Sequence, residues 1–373
     1  MKQNLTIIML IILTPFIIKA QSGKADSFRP GEIWPDDQGI HINAHGGGIL
    51  YHNGVYYWYG EHKTEGPGGN RANVGVQVYS STDLYNWKNE GVAMAVVDDE
   101  NSLIVRGCVI ERPKVIYNRK NNNFVLWFHH ELKGMGYTAA KTGVAVSNSP
   151  TGPFQYLGSI NPNPGIWPLN FTEEQKNSTY PDNMKSWTPE WIQAVKDGMF
   201  VVRDHKKGQM ARDMTLFVDD DGKAYHIHAS EENLTLHIAE LDEDYTAFSG
   251  RYVRILPAGH NEAPAIIKRN GKYVMITSGC TGWDPNPARS AIASHIFGPW
   301  QELGNPCIGE GAEITFDSQS TYIIPVAGKP DYYIFMGDRW RPKNAIDGRY
   351  IWLPLEFDGD KPILRWYSEW SIP

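Results

Sequence analysis

Five polar residues stand ahead of apolar stretches along the chain: His45, Glu111, Asp213, Glu262 and Gln319. Three of them are carboxylates. Carboxylates brought together cannot all ionise cheaply, so at least one must have a raised pKa. A proton-holding carboxyl beside ionised partners can protonate a leaving oxygen, and a partner can serve a water. Glu262 draws attention first. It precedes the apolar run 265–267 and the turn Asn270-Gly271, both of whose residues need positive φ. A lone carboxylate beside a buried strand costs desolvation energy unless it is paired or used. For one isolated hairpin, a capped or salt-bridged glutamate explains it equally well. The setting of the other four positions decides.

That setting repeats. A polar residue, a short apolar strand, a tight turn and a second apolar or aromatic strand recur five times. His45 leads into Ile49-Leu50-Tyr51 and Tyr56-Tyr57-Trp58-Tyr59. Glu111 leads into Val115-Ile116-Tyr117 and Phe124-Val125-Leu126-Trp127. Asp213 leads into Leu216-Phe217-Val218 and Tyr225-His226-Ile227, and Gln319 into Tyr322-Ile323-Ile324 and Tyr333-Ile334-Phe335. Another strand pair with its own turn follows each hairpin. Long amphipathic helical patterns are nearly absent, so the chain is all-β. Five four-strand units predict a five-bladed β-propeller rather than a β-sandwich, whose strands rarely repeat in such blocks. Inner strands line a propeller's channel and their first residues gather at one mouth. The five polar residues therefore converge, and clustered carboxylates of this kind are the apparatus of glycosidic bond hydrolysis.

The segment 161–204, rich in Pro, Asn and Trp, separates blades two and three. It reads as an insertion over one propeller face, weakly helical near 189–196. Residues 1–20 read as a cleaved secretory signal: Lys2, then an apolar run over 5–18 too short to span a bilayer comfortably. An exported protein, secreted or periplasmic, is expected, with 21–373 as one catalytic domain and no membrane span. The formal charge of −7 becomes −9 without Lys2 and Lys19, which disfavours nucleic acid and anionic membranes and suits a neutral partner. Thirteen tryptophans in an exported chain fill a β core and hint at sugar stacking. Three cysteines, Cys108, Cys280 and Cys307, form no disulfide scaffold. No zinc-binding spacing occurs. The adjacent His129 and His130 point to opposite faces of a strand, which suits structural roles.

The motifs resemble a known family. Asp213 paired with Glu262-Ala263-Pro264 is similar to glycoside hydrolase family 43. Ala44-His45-Gly46-Gly47-Gly48, Tyr56-Tyr57-Trp58-Tyr59-Gly60-Glu61, Glu111-Arg112-Pro113-Lys114, Thr277-Ser278-Gly279-Cys280-Thr281-Gly282-Trp283 and Ser318-Gln319-Ser320-Thr321 resemble its exo-β-1,3-galactanase branch. The resemblance spans nearly all of the mature chain. It implies Glu262 as general acid and Asp213 as the carboxylate that orients it and raises its pKa. The family's usual blade-one base, an Asp, is missing here, as in that branch; its place falls in His45-Gly46-Gly47. Gln319 then positions the water and Glu111 holds ring hydroxyls, with Glu111 the chemically better base if geometry allows. Glu61 and Tyr137 resemble sugar-contacting positions, His45 joins them, and Trp283 and Trp340 offer aromatic faces to a galactose. Family members invert configuration, which asks for acid and base about 6.5–9.5 Å apart.

The implied activity is exo-acting, inverting release of galactose from the β-1,3-galactan of arabinogalactan, with a polysaccharide or oligosaccharide as partner. No cofactor is implied beyond the structural Ca²⁺ that some relatives hold in the channel. Neighbouring subfamilies make α-L-arabinofuranosidase or β-xylosidase activity the alternative on the same scaffold, and the insertion is placed to reshape the subsites. A non-catalytic sugar-binding propeller is the alternative of another class. Retention of Glu262 with Asp213 argues against it.

Overall fold

The computed structural model describes residues 24–373, so the expected leader at 1–20 lies outside them. Five antiparallel sheets form the body. Blade one holds β1 (His45–His52), β2 (Val55–Lys63), β3 (Asn73–Ser81) and β4 (Lys88–Ala95); blade two holds β5 (Val109–Asn118), β6 (Asn123–Glu131), β7 (Lys141–Ser147) and β8 (Gln155–Ile160). Three short helices follow: α1 (Glu173–Lys176), α2 (Pro189–Lys196) and α3 (Met199–Asp204). Blade three is β9 (Met214–Val218), β10 (Ala224–Ser230), β11 (Thr235–Leu241) and β12 (Phe248–Ile255). Blade four is β13 (Asn261–Arg269), β14 (Lys272–Gly279), β15 (Arg289–Ala293) and β16 (Gln301–Gly304). In blade five the short β17 (Cys307–Ile308) pairs in parallel with β21 (Lys361–Arg365), outside β18 (Gln319–Pro325), β19 (Tyr333–Arg339) and β20 (Arg349–Asp358).

The inner strands β1, β5, β9, β13 and β18 pack on one another in a closed ring. Each blade is buried on both faces, which explains the unbroken apolar runs. Along β2, Trp58 faces blade five and Tyr59 faces blade two. Along β13, Ile266 faces blade three and Ile267 faces blade five. Strand alternation thus feeds two interblade cores at once. Phe28 and Trp370 exchange backbone hydrogen bonds of 2.7 and 3.1 Å, tying the N-terminal stretch to the C-terminal end.

Four of the five inner strands share an irregularity at their starts. The register with the second strand shifts between His45 and Gly48, Glu111 and Lys114, Glu262 and Ala265, and Ser320 and Tyr322. In the first three, the residue after the polar one is left-handed: Gly46 at φ +62°, Arg112 at +55° and Ala263 at +52°. Such bulges re-aim side chains. Here they turn His45, Glu111 and Glu262 away from the regular pleat.

The expected helical piece is α2, capped by the Thr188 hydroxyl, which accepts from the Trp191 N–H at 3.3 Å. The sequence pattern missed α1 and α3, each too short to show a helical period. The insertion 161–204 carries these three helices. It packs against β12, the outermost strand of blade three: the Leu169 N–H donates to Tyr252 O, and Arg254 donates to Val195 O and Lys196 O. Among the described residues no helix is long and apolar enough to cross a membrane. All three cysteines are free thiols.

Candidate active site

A cavity of about 650 Å³ opens at the mouth where the inner strands begin. Its size lies within the roughly 300–1,000 Å³ of small-ligand sites. Glu61, Glu111, Tyr137, Asp213, Glu262, Trp283, Gln319 and Trp340 all line it, so eight of the nine expected residues come together. His45 is the exception. It is buried behind the wall, stacked on Tyr350 at 4.8 Å, with Nδ1 3.4 Å from Asp338 Oδ1. Asp338 also accepts from the Gly46 N–H at 2.9 Å. His45 therefore braces the Gly46 loop and touches no cavity. Asp338 and Arg339 do not pair with each other; Arg339 pairs with Asp317.

Glu262 is mostly buried, and burial pushes its carboxyl up to about 7, with the Asp213 charge as the second cause. Burial therefore outranks Asp213, which was expected to dominate. Four groups touch or face this carboxyl. Gln319 Nε2 donates to Oε1 at 2.8 Å, Asn233 Nδ2 approaches Oε2 at 3.4 Å, the Cys280 thiol faces it, and Arg112 draws against the rise. Asp213 is held by Arg112 Nη2 at 2.8 Å.

Glu111 has the opposite character. Burial opposes its ionisation, but bonds to His129 and Tyr137 outweigh burial and hold it down to about 2. His129 Nδ1 lies 2.8 Å from Oε2, and the Tyr137 hydroxyl donates to Oε1 at 2.6 Å. His129 Nε2 faces Glu131 at 3.0 Å. Burial alone would lower this imidazole; the two carboxylates raise it to about 9. His130 points the other way, to Ser159 at 2.7 Å, as strand alternation requires.

Gln319 sits between these groups. Its Oε1 accepts from Arg112 Nη2 at 2.5 Å and Trp340 Nε1 at 3.0 Å, and its Nε2 also donates to Ser278 Oγ at 2.9 Å. The amide orientation is thus fixed by donors on one side and acceptors on the other. Trp283 is 41% exposed and meets Trp340 edge-on at 5.7 Å. These two tryptophans follow the second strands, β14 and β19, rather than the inner ones, and Glu61 lies within the second strand β2. Glu61 is fully buried, paired with Lys63 at 2.9 Å, and accepts from the Arg112 N–H at 3.1 Å.

The missing blade-one carboxylate has a steric reason. A Cβ on Gly46 would stand 2.3 Å from Glu61 Oε1, and one on Gly47 would stand 1.9 Å from Tyr59 O. A side chain at Gly46, where φ is +62°, would displace the Glu61 carboxylate, and one at Gly47 would meet backbone. Beneath this loop, the buried Lys114 Nζ donates to Gly46 O at 2.7 Å, and burial lowers it to about 7.

Glu111, His129 and Asp213 present ligand atoms within 4.8 Å of one another. In this structure His129 stands between Glu111 and Glu131, and Asp213 is paired with Arg112. A larger cavity, about 1340 Å³, opens at the far mouth among the hairpin turns, but its Asp219 and Asp220 are neutralised by Lys268. The expected site residues other than His45 line the smaller cavity.

Residues 185–350 match the model of glycosyl hydrolases family 43. A solved family-43 β-1,3-galactosidase, in complex with galactodeoxynojirimycin, is 54% identical; the match covers 92% of this chain and 100% of that one, with a TM-score of 0.90. The chain belongs to glycoside hydrolase family 43. An exo-β-1,3-galactanase from Clostridium thermocellum is 35% identical over 92% of this chain and 66% of its own, at a TM-score of 0.75. One from Phanerochaete chrysosporium, solved with β-1,3-galactotriose, is 30% identical over 94% and 69%, at 0.74. A β-D-galactofuranosidase of Aspergillus niger is 30% identical over 145 residues, and the match spans only 41% of that protein. In this family-43 site, sequence reasoning missed Arg112, Asn233 and Ser278 and took His129 for a purely structural residue. Arg112 had a signal: it stands beside Glu111 in a buried inner strand, where a charge needs a partner.

Proposed function

We propose that the protein is an exo-acting, inverting glycoside hydrolase that removes terminal galactose from the β-1,3-galactan chains of arabinogalactan. The observation that carries this is Glu262: a carboxyl pushed up to about 7 on a cavity wall shared with an arginine-paired aspartate and an ionised glutamate. Half of such a group is protonated at neutral pH, which suits a general acid. The similar β-1,3-galactosidase and exo-β-1,3-galactanases support galactose as the sugar.

In this reading Glu262 gives its proton to the glycosidic oxygen as the C1–O bond breaks, and water adds to C1 from the opposite face, releasing its surplus proton to solvent. Glu111, a weak base held ionised, accepts hydrogen bonds from ring hydroxyls, beside Tyr137. Gln319 positions the water. The free enzyme places the Gln319 amide in direct contact with Glu262 at 2.8 Å, well short of the separation inversion asks for. Substrate entry must break that contact, and the amide then passes from the acid to the water. Trp283 offers the apolar face for the sugar ring. Export through residues 1–20 places the enzyme where plant-type polysaccharide is met, and the N-terminal residue of the mature protein tests it.

The deciding experiment is hydrolysis of β-1,3-galactobiose, aryl arabinofuranoside and aryl xyloside, with product anomers followed by proton NMR. Release of α-galactose first, from galactobiose, is expected. Activity on a pentoside without activity on galactobiose overturns the substrate, and β-galactose as first product overturns inversion.

A further inference from the structure

The cavity accounts for the sugar whose C1 reacts and leaves the departing chain unassigned. Glu262 marks where that chain lies, because the acid must reach the glycosidic oxygen. On this flank of the acid, at the seam of blades three and four, stand three residues that the chemistry above does not use. Asn233 lines the cavity with Nδ2 beside Glu262, and its Oδ1 has no partner. His260 precedes the acid by two residues and is left-handed at φ +56°. Trp187, between α1 and α2, lies with its ring 5.4 Å from the His260 imidazole.

Trp187 is 62% exposed, the largest exposure of any large apolar side chain among the described residues. It is not a loose surface residue. Its φ of +68° is a strained choice for a bulky residue, and such strain persists where surroundings impose it. Its ring also rests on Trp191 at 5.3 Å. Trp191 is buried in a small core with Val195, Phe200 and Leu234, and Leu234 directly follows Asn233. The same core therefore fixes both the exposed indole and the unpartnered amide. A rigid aromatic face and, on the cavity wall, an asparagine whose buried Oδ1 lacks a partner together suit a sugar chain: C–H surface against the ring, hydroxyl to the amide.

We propose that Trp187, with His260 and Asn233, forms a distal subsite for the leaving portion of a β-1,3-galactan. Asn233 takes a hydroxyl of the residue next to the scissile bond, and Trp187 stacks on a galactosyl residue further along. This rests on the galactosidase reading of the main site. It gives the insertion a purpose although the insertion stays outside the catalytic cavity.

The test compares kcat/KM on β-1,3-galactobiose, -triose and -tetraose for the wild type, Trp187→Ala and Trp187→Phe. The wild type should gain about fivefold from biose to tetraose, one stacking contact's worth. Trp187→Ala should flatten that gain, and Trp187→Phe should restore much of it. Thermal melts of all three check the fold. A Trp187→Ala variant that keeps the full chain-length gain, or loses the same factor on every substrate, overturns the proposal. Failure of the wild type to hydrolyse galactobiose removes the galactosidase reading and this subsite with it.

Discussion

Glu111 and Glu262 are the same residue type, at corresponding bulges of two inner strands, lining one cavity. Their proton affinities are nevertheless far apart: about 2 for Glu111 and about 7 for Glu262. Burial pushes both upward, so burial does not separate them. Neighbours do. Glu111 meets a buried imidazolium and a phenol, whereas Glu262 meets the negative Asp213, an amide and a thiol. Two carboxyls driven apart in this way divide the labour of acid and charged anchor without a third titrating group.

The largest way to break this contrast is to remove the acid. Glu262→Gln should lower kcat by about 10³-fold or more on a β-linked galactoside, with galactose binding retained in calorimetry. His129→Ala attacks the other side. It leaves Glu111 and Glu131 buried without their shared cation, and should cost on the order of 3–5 kcal/mol in urea melts. Glu111→Gln keeps shape and removes charge. With a charged hydrogen bond worth about 1.5–3 kcal/mol, kcat/KM should fall roughly 10- to 100-fold.

Smaller effects sharpen the comparison through pH. With Glu262 as the proposed acid, activity requires it protonated, so kcat/KM should fall as pH rises through about 7. Asp213→Asn removes an anionic neighbour that raises the Glu262 pKa, so the falling limb should move to lower pH. Stability carries the same signature. The folded pKa of Glu262 lies above its unfolded value, so as pH rises the unfolded chain gives up this proton first. The folded state is therefore penalised between about 4.5 and 7. Glu262→Gln, inactive, should melt higher than wild type at pH 8 and equally at pH 4.5. An equal melt at both pH values would mean that Glu262 ionises without penalty.

The propeller is legible in the sequence because each blade is buried on both faces. Trp58-Tyr59 and Ile266-Ile267 read as unbroken apolar runs, and turn residues mark the ends. Glu262, Asp213, Glu111 and Gln319 are legible as polar interruptions at fixed places in that repeat. What fails to show is pairing across blades. Arg112 stands out as a charge that needs a partner, but Asp213 and Gln319, more than a hundred positions away, are brought beside it only by the fold. His129 reads as structural because Glu111 reaches it only through the pairing of β5 with β6, although Glu131 stands two residues along its own strand. His45 misleads for the converse reason: it occupies the right place in the repeat, but the glycines after it let the chain sink and its ring packs on Tyr350.

The contrast can be measured directly. Side-chain carboxyl carbons of ¹³C-glutamate-labelled protein can be titrated by NMR from pH 4 to 9, with the resonances assigned by their loss in Glu262→Gln and Glu111→Gln. The resonance missing from Glu262→Gln should titrate near 7, and that missing from Glu111→Gln should stay in its ionised position throughout. A Glu262 signal titrating near the ordinary carboxyl value of about 4.3, or a Glu111 signal titrating above it, would contradict the assignment of acid and anchor.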